Sequence, residues 1–297
     1  MKAFLIAAFL SVGMGTSALA AELNICTGAE GGYYEQLGSR VASSLNGKID
    51  VEKVNVINTG GSIESAEMFN DGECQIAILQ ADAVTSMAMP DDIKVVDGHT
   101  EAVFWIYGKK GIDDFGKLED GDNAANYAVA VVDGSGSEVT MRNFAKVDED
   151  YKDIRTIEFY DWQEAASAAA QGSTRVAGVN VKIAGLLYVG RPGKLNMDIV
   201  ENFEDSLTVG EVNDDTFNNA LDVNENPLYT ECSIGKDKTN GLPISGVLSV
   251  DTFCMNAQAV YNNEFHKKLD KSEGRKIARQ IAKAVNANMQ QARLEGK

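Results

Sequence analysis

Three stretches carry residues whose types and spacing could hold a ligand: "TGAEGGYYEQLGSRVASSLN" from Thr27, "NTGGSIESAEMFNDGECQIAILQADA" from Asn58, and "AVAVVDGSGSEVTMRNF" from Ala128. The first begins in a glycine turn that runs into a helix-like segment, and the other two contain one. Glycine lets a chain turn sharply between strand and helix. The first turn of a helix leaves backbone N–H groups unpaired, which suits an anionic or carbonyl group. Tyr33 and Tyr34 follow the first turn. They read either as walls for a small polar solute or as cover for an edge of the core. Lys182, two residues after Asn180, reads as a cationic side chain at the carboxyl end of a strand, where it could meet a solute carboxylate. Arg142, two turns into its helix, and Arg175, at the start of a strand, are expected to point elsewhere.

The residues of catalysis are sparse. His99 and His266 are far apart and neither has a nucleophile and an acid patterned around it. The "GSGS" turn is neither a GxSxG nucleophile elbow nor a P-loop. Ser135 and Glu138 fit the SxxE capping box, in which each side chain satisfies a backbone N–H; a contact from Glu138 to a ligand ammonium is the alternative. The cysteine spacings are long and there are two histidines, so no metal or other cofactor is expected. The expectation is a binding protein that is not an enzyme, with an exported hydrolase of a small ester or amide as the alternative.

The elements that must position these turns alternate. "LNIC", "VEKVNVIN" and "CQIAILQ" read as strands, each followed by a helical pattern. "YAVAVV", "TIEFY" and "TRVAGVNV" continue the alternation after the apolar strand "EAVFWIYGKKG". Such alternation indicates an α/β fold with helices on both sheet faces and ligands beyond the carboxyl ends of strands. "ISGVLSVDTFCMNA" is suited to cross back. The segment from Glu273 to about Leu294 carries Ile277, Ile281, Val285 and Met289 at steps of four, one apolar stripe for docking. The expected fold class is a two-lobed α/β binding protein of type II kind, each lobe a mixed sheet with flanking helices and the cleft between them. Residues 21–106 are read as the first part of lobe 1 and 107–243 as lobe 2. Residues 244–297 are read as the return crossover and the C-terminal helix of lobe 1.

Residues 1–20 read as a signal peptide: Lys2, an apolar run from Ala3 to Val12, then Ala18, Leu19 and Ala20 before a cleavage site. With 297 residues and 44% hydrophobic side chains, the chain can build a sizeable core. Its formal charge of −17 repels phosphate backbones over long range, so no nucleic-acid partner is expected. Four cysteines in an exported chain indicate disulfides. Cys232 and Cys254 flank a turn-like "DKTNGLP" and are expected to pair. Cys26 and Cys74 are either paired or two buried thiols.

Taken together, the three opening stretches resemble, in order and spacing, the periplasmic solute-binding proteins of the TAXI branch of TRAP transporters. The resemblance covers most of the chain after residue 20 and is weakest from about Gly190 to Ser249. It implies a periplasmic protein that captures a small carboxylate, glutamate-like or a dicarboxylate, and delivers it to the membrane permease subunits of a TRAP system. The ligand loops it implies are Gly31, Gly32, Tyr33 and Tyr34; Thr59, Gly60, Gly61 and Ser62; Gln80 and Asp82; and Ser135, Gly136 and Ser137. The chain departs from the family at Glu138, where a neutral residue is usual, and at "VAGVNVK", which replaces an acidic-alanine strand end.

Overall fold

The structure, a computed structural model, describes residues 22–262 and 271–296. The expected signal peptide and His266 lie outside these residues. Lobe 1 begins with β1 (Leu23–Cys26), α1 (Tyr33–Leu45), β2 (Val54–Ile57), α2 (Ser62–Asn70), β3 (Ile76–Gln80) and α3 (Ala81–Ser86). β1 pairs in parallel with both β2 and β3. β3 is buried along its length, as a strand covered on both faces must be. One face packs on α1 through Leu37, Val41 and Leu45, the other on Ala66 and Phe69 of α2.

Two long strands then carry the chain between the lobes. The first half of β4 (Lys94–Gly108) pairs with β11 (Ser249–Tyr261), and its second half pairs with β8 (Val179–Gly190) and β9 (Leu207–Gly210). β11 pairs with β3 through Ala257–Tyr261, and its other half pairs with β10 (Thr230–Gly235). The register between β4 and β11 shifts at Asn256/Gln258. Lobe 2 adds α4 (Gly121–Asn126), β5 (Tyr127–Val132), α5 (Gly136–Val147), β6 (Arg155–Phe159), α6 (Trp162–Gln171), β7 (Ser173–Val176) and α7 (Met197–Val200). β5 is parallel to β6 and β8. The final helix, α8 (Lys271–Glu295), returns to lobe 1, where Ile277, Ile281, Val285 and Met289 join the cluster built on β1 and α1. One sheet therefore runs through the molecule in the order β2-β1-β3-β11-β4-β8-β5-β6.

"TRVAGVNV" is a hairpin and not the single strand expected. β7 turns at Ala177 (φ 48°) and Gly178 (φ 84°) into β8. Two successive left-handed residues are what a two-residue hairpin turn requires, and they usually include Asn or Asp; the alanine hid the turn. Two disulfides are present among the described residues, Cys232–Cys254 and Cys26–Cys74. The second settles the open alternative in favour of pairing, and both fit an extracytoplasmic location. No described helix is long and apolar enough to cross a membrane.

Candidate functional site

A cavity of about 670 Å³ lies between the lobes. From lobe 1 it is lined by Gly31, Gly32, Tyr33 and Tyr34, by Gly60, Gly61 and Ser62, and by Gln80; from lobe 2 by Ser135 and Gly136. The larger groove, about 740 Å³, lies along the exposed side of α6 on lobe 2 alone.

The three helix starts share one device. The Gly31 N–H donates to Glu35 Oε2 at 2.7 Å, the Gly60 N–H to Glu64 Oε2 at 2.6 Å, and the Gly134 N–H to Glu138 Oε2 at 2.8 Å. In each case a first-turn carboxylate takes the N–H that precedes the helix and complements the helix dipole. No side chain caps α1 at Gly32 or α2 at Gly61. Ser135 caps α5 by accepting from the Glu138 N–H. Glu138 is thus a capping residue, although its carboxylate bonds Gly134 and Arg142 and leaves the Ser135 N–H aside. The lobes meet at these starts. A Cβ at Gly61 would run into the Gly134 carbonyl, and one at Gly136 would run into the Gln80 side chain.

Behind the tyrosines lies a buried polar group. The Tyr34 hydroxyl donates to Glu101 Oε2 at 2.7 Å, and His99 Nε2 lies 3.1 Å from Glu101 Oε1. His99 is fully buried, and both tyrosine rings meet its imidazole edge-on. Burial and the neighbouring Glu101 carboxylate push the Tyr34 phenol well above its ordinary pKa, so it remains a donor. Glu101 lines the cavity while only 5% exposed. Gln80 is 4% exposed and its Oε1 has no partner among protein groups.

Arg191 leaves the carboxyl end of β8 and stacks its guanidinium over the Tyr33 ring, 3.7 Å from the centroid. Such a cation–π contact holds a charged group in place without neutralising it. The other face of the arrangement is tied to α8, where Glu295 accepts from the Tyr33 hydroxyl and pairs with Arg40. Those two bonds bring the Glu295 carboxyl down to about 2. Tyr188 and Trp162, with rings 4.8 Å apart, complete the lobe 2 wall.

Five of the residues expected to line the site do not. Asn180 and Lys182 are exposed at the start of β8, because the hairpin puts this segment at the end of the strand away from the cleft; the Lys182 ammonium lies 5.5 Å from the Tyr127 ring centroid. Thr59 is buried, and its hydroxyl bonds the Thr27 carbonyl and the Ser65 hydroxyl. The Ser137 hydroxyl accepts from the Val189 N–H at 3.0 Å, fastening α5 to β8. Asp82 is fully buried beneath the cavity, bonded to Thr140 and Tyr229. Sequence reasoning missed Glu101, Arg191 and Tyr188. The signal for Arg191 was the apolar run "IAGLLYVG" ending in "RPG", a strand end with a cation after it.

Two lobes, paired crossover strands and a polar cavity where they meet define a type II periplasmic-binding-like α/β fold. The profile of the NMT1-like family matches residues 25–90, the stretch that holds the first two glycine loops and Gln80. No curated protein matches the chain. Among solved structures, a sulfate-bound mutant of the OxyR2 regulatory domain from Vibrio vulnificus is 9% identical, covers 91% of this chain and 97% of its own, and has a TM-score of 0.44. The CcmR regulatory domain of Synechocystis PCC6803 in complex with 2-PG is 12% identical, with 90% and 98% covered and a TM-score of 0.42. A peroxide-bound mutant OxyR of Corynebacterium glutamicum is 11% identical, with 92% of this chain and 66% of that chain covered and a TM-score of 0.43.

Proposed function

We propose that the chain is a periplasmic solute-binding protein that closes on a small carboxylate and delivers it to a TRAP-type permease. The observation that carries the reading is the pairing of Arg191 with the open N-termini of α1 and α2 around one cavity. A guanidinium and helix N–H groups complement a carboxylate, the former in a bidentate fork. Glu101 and the Gln80 Oε1 are acceptors at the same cavity and call for a donor on the ligand. An amino acid of the glutamate kind meets both demands because its ammonium can face Glu101 and Gln80, a donor that a dicarboxylate lacks. The glutamate-like member of the expected pair is therefore preferred to the dicarboxylate.

Binding without turnover accords with the state of the nucleophile candidates. The Ser135 and Ser137 hydroxyls each accept a backbone N–H, and His99 faces Glu101 and two tyrosines. Thermal-shift titration with L-glutamate, L-glutamine and succinate tests the reading: the amino acids should raise the melting temperature in a dose-dependent way, succinate less. A response to sugars alone, or steady hydrolysis of small esters, would sink it. The intact mass of the exported chain should begin at Ala21. Co-purification with the permease subunits tests the partner.

A further inference from the structure

Three donors of lobe 2 converge on one residue of lobe 1. Thr140 Oγ1 donates to Asp82 Oδ2 at 2.5 Å, the Tyr229 hydroxyl donates to the same oxygen at 3.2 Å, and Asn143 Nδ2 donates to the Asp82 carbonyl at 3.2 Å. Thr140 and Asn143 lie on α5, Tyr229 on the segment before β10, and Asp82 on α3. Asp82 is 0% exposed and does not line the cavity, and its Oδ1 has no hydrogen-bond partner. Sites that bind a ligand do not need this residue, yet it sits where the lobes touch.

We propose that Asp82 and its three partners form a proton-operated clasp between the lobes: the closed form holds Asp82 as the neutral acid, and release of its proton to water favours opening. A buried carboxylate with one oxygen unbonded is costly as an anion, and opening would return it to water. With the lobes in contact as the structure has them, burial raises the carboxyl from its ordinary 3.8 to about 7, against the lowering effect of the Thr140 and Tyr229 bonds and of the Ala83 backbone N–H.

The surroundings supply little that would hold the anion. Glu101 on β4 acts on Asp82 as a like charge, and the Tyr34 and Tyr229 phenols are raised by their own burial. On α5 the nearest charges, Glu138 and Arg142, bond each other. On α2 Glu64 is taken up by the Gly60 N–H and Glu67 is exposed, β3 has no ionisable side chain, and β11 has Asp251 and Tyr261 toward its two ends. Closing therefore takes one proton from water. Its equilibrium becomes less favourable as pH rises from about 4 toward 7, by up to about tenfold per pH unit, and changes no further above that range.

Small-angle scattering of the ligand-free protein from pH 4 to pH 9 tests the clasp without reference to any solute, so it stands or falls apart from the proposed ligand. The wild-type radius of gyration should increase toward pH 7 and level off above it, with an unchanged far-ultraviolet circular dichroism spectrum. Asp82→Asn, which cannot ionise, should stay at the compact value throughout. A wild-type radius independent of pH, a pH response retained in Asp82→Asn, or a loss of secondary structure that accompanies the expansion would each overturn the proposal. Should Asp82→Asn fail to fold, Thr140→Val takes its place. Loss of a donor to the anion raises the closed-form pKa further, so the expansion should continue to higher pH than in the wild type. A Thr140→Val curve that superposes on the wild type rejects the clasp.

Discussion

Lobe 1 meets the cavity with glycine-rich helix starts beside its side chains, whereas lobe 2 meets it mainly with side chains. On lobe 1, α1 and α2 start at Gly32 and Gly61 with no side-chain cap, the Glu35 and Glu64 carboxylates bonding the preceding Gly31 and Gly60 N–H groups. On lobe 2, Arg191, Tyr188 and Trp162 project from β8 and α6 or their ends. The cores differ in the same sense. The cluster under α1 and α8 is built mostly from Leu, Ile and Val, whereas one face of lobe 2 packs Trp105, Phe115, Phe144, Tyr151, Phe217, Tyr229 and Phe253 together. Backbone donors accept any anion of suitable size. A guanidinium and shaped aromatic walls discriminate, so ligand choice rests on lobe 2 and on the buried lobe 1 carboxylate of Glu101 on the crossover strand.

The largest effect expected from this difference is on stability. Phe144 is fully buried and stacks on Phe217 with ring centroids 3.7 Å apart. Phe144→Ala should cost about 3–5 kcal/mol. Because β4 and β11 belong to both lobes, thermal unfolding followed by calorimetry should show one lowered transition. Two separate transitions would mean that the lobes are stable independently and would break the picture of a shared sheet.

Next in size is the side-chain contribution to binding. Arg191→Gln keeps a polar side chain over Tyr33 but removes the charge. Affinity for L-glutamate by isothermal titration should fall by about 1.5–3 kcal/mol, roughly ten- to a hundredfold. An unchanged dissociation constant would move the carboxylate to the lobe 1 helix starts alone.

The same contrast explains what could be read in the chain beforehand. Glycine turns and strand–helix alternation are local signals, so the elements around Gly31–Tyr34, Gly60–Ser62 and Ser135–Gly136 were legible, as were the crossover segments. Lobe 2's contribution depends on where β8 begins. Because the turn at Ala177 and Gly178 carries no turn-forming Asn or Asp, the sequence pattern exchanges the strand's two ends, which places Lys182 in the cleft and passes over Arg191. Asp82 and Ser137 failed for another reason. Ser137 directly follows Gly136 and Asp82 stands two residues after Gln80, both of which line the cavity, and only the packing of α5 against α3 and β8 decides that their side chains turn inward.

A smaller effect isolates lobe 1's aromatic. Tyr34→Phe retains the ring but removes the donor to Glu101, leaving that buried carboxylate with His99 alone. Affinity for L-glutamate should fall by about 1 kcal/mol, and the melting temperature of the free protein should also fall, because a buried carboxylate loses a donor. Destabilisation without a change in affinity would assign Tyr34 to packing.

The smallest difference compares the two disulfides, one in lobe 1 and the other tying β10 to β11. Cys26 and Cys74 are separated by 48 residues and Cys232 and Cys254 by 22. A cross-link restricts the unfolded chain in proportion to the logarithm of the loop it closes, so the bridges should contribute about 4 and about 3.4 kcal/mol, a gap of about 0.7 kcal/mol. Burial acts in the same direction: Cys26 and Cys74 are fully buried, while Cys232 is only partly so. Replacing each pair with alanine therefore removes more packing in lobe 1. Chemical denaturation of the two double variants should show the Cys26/Cys74 pair as the costlier loss. The reverse order would mean that the β10–β11 bridge supports the crossover itself, in which case its removal should also increase the scattering radius of the ligand-free protein.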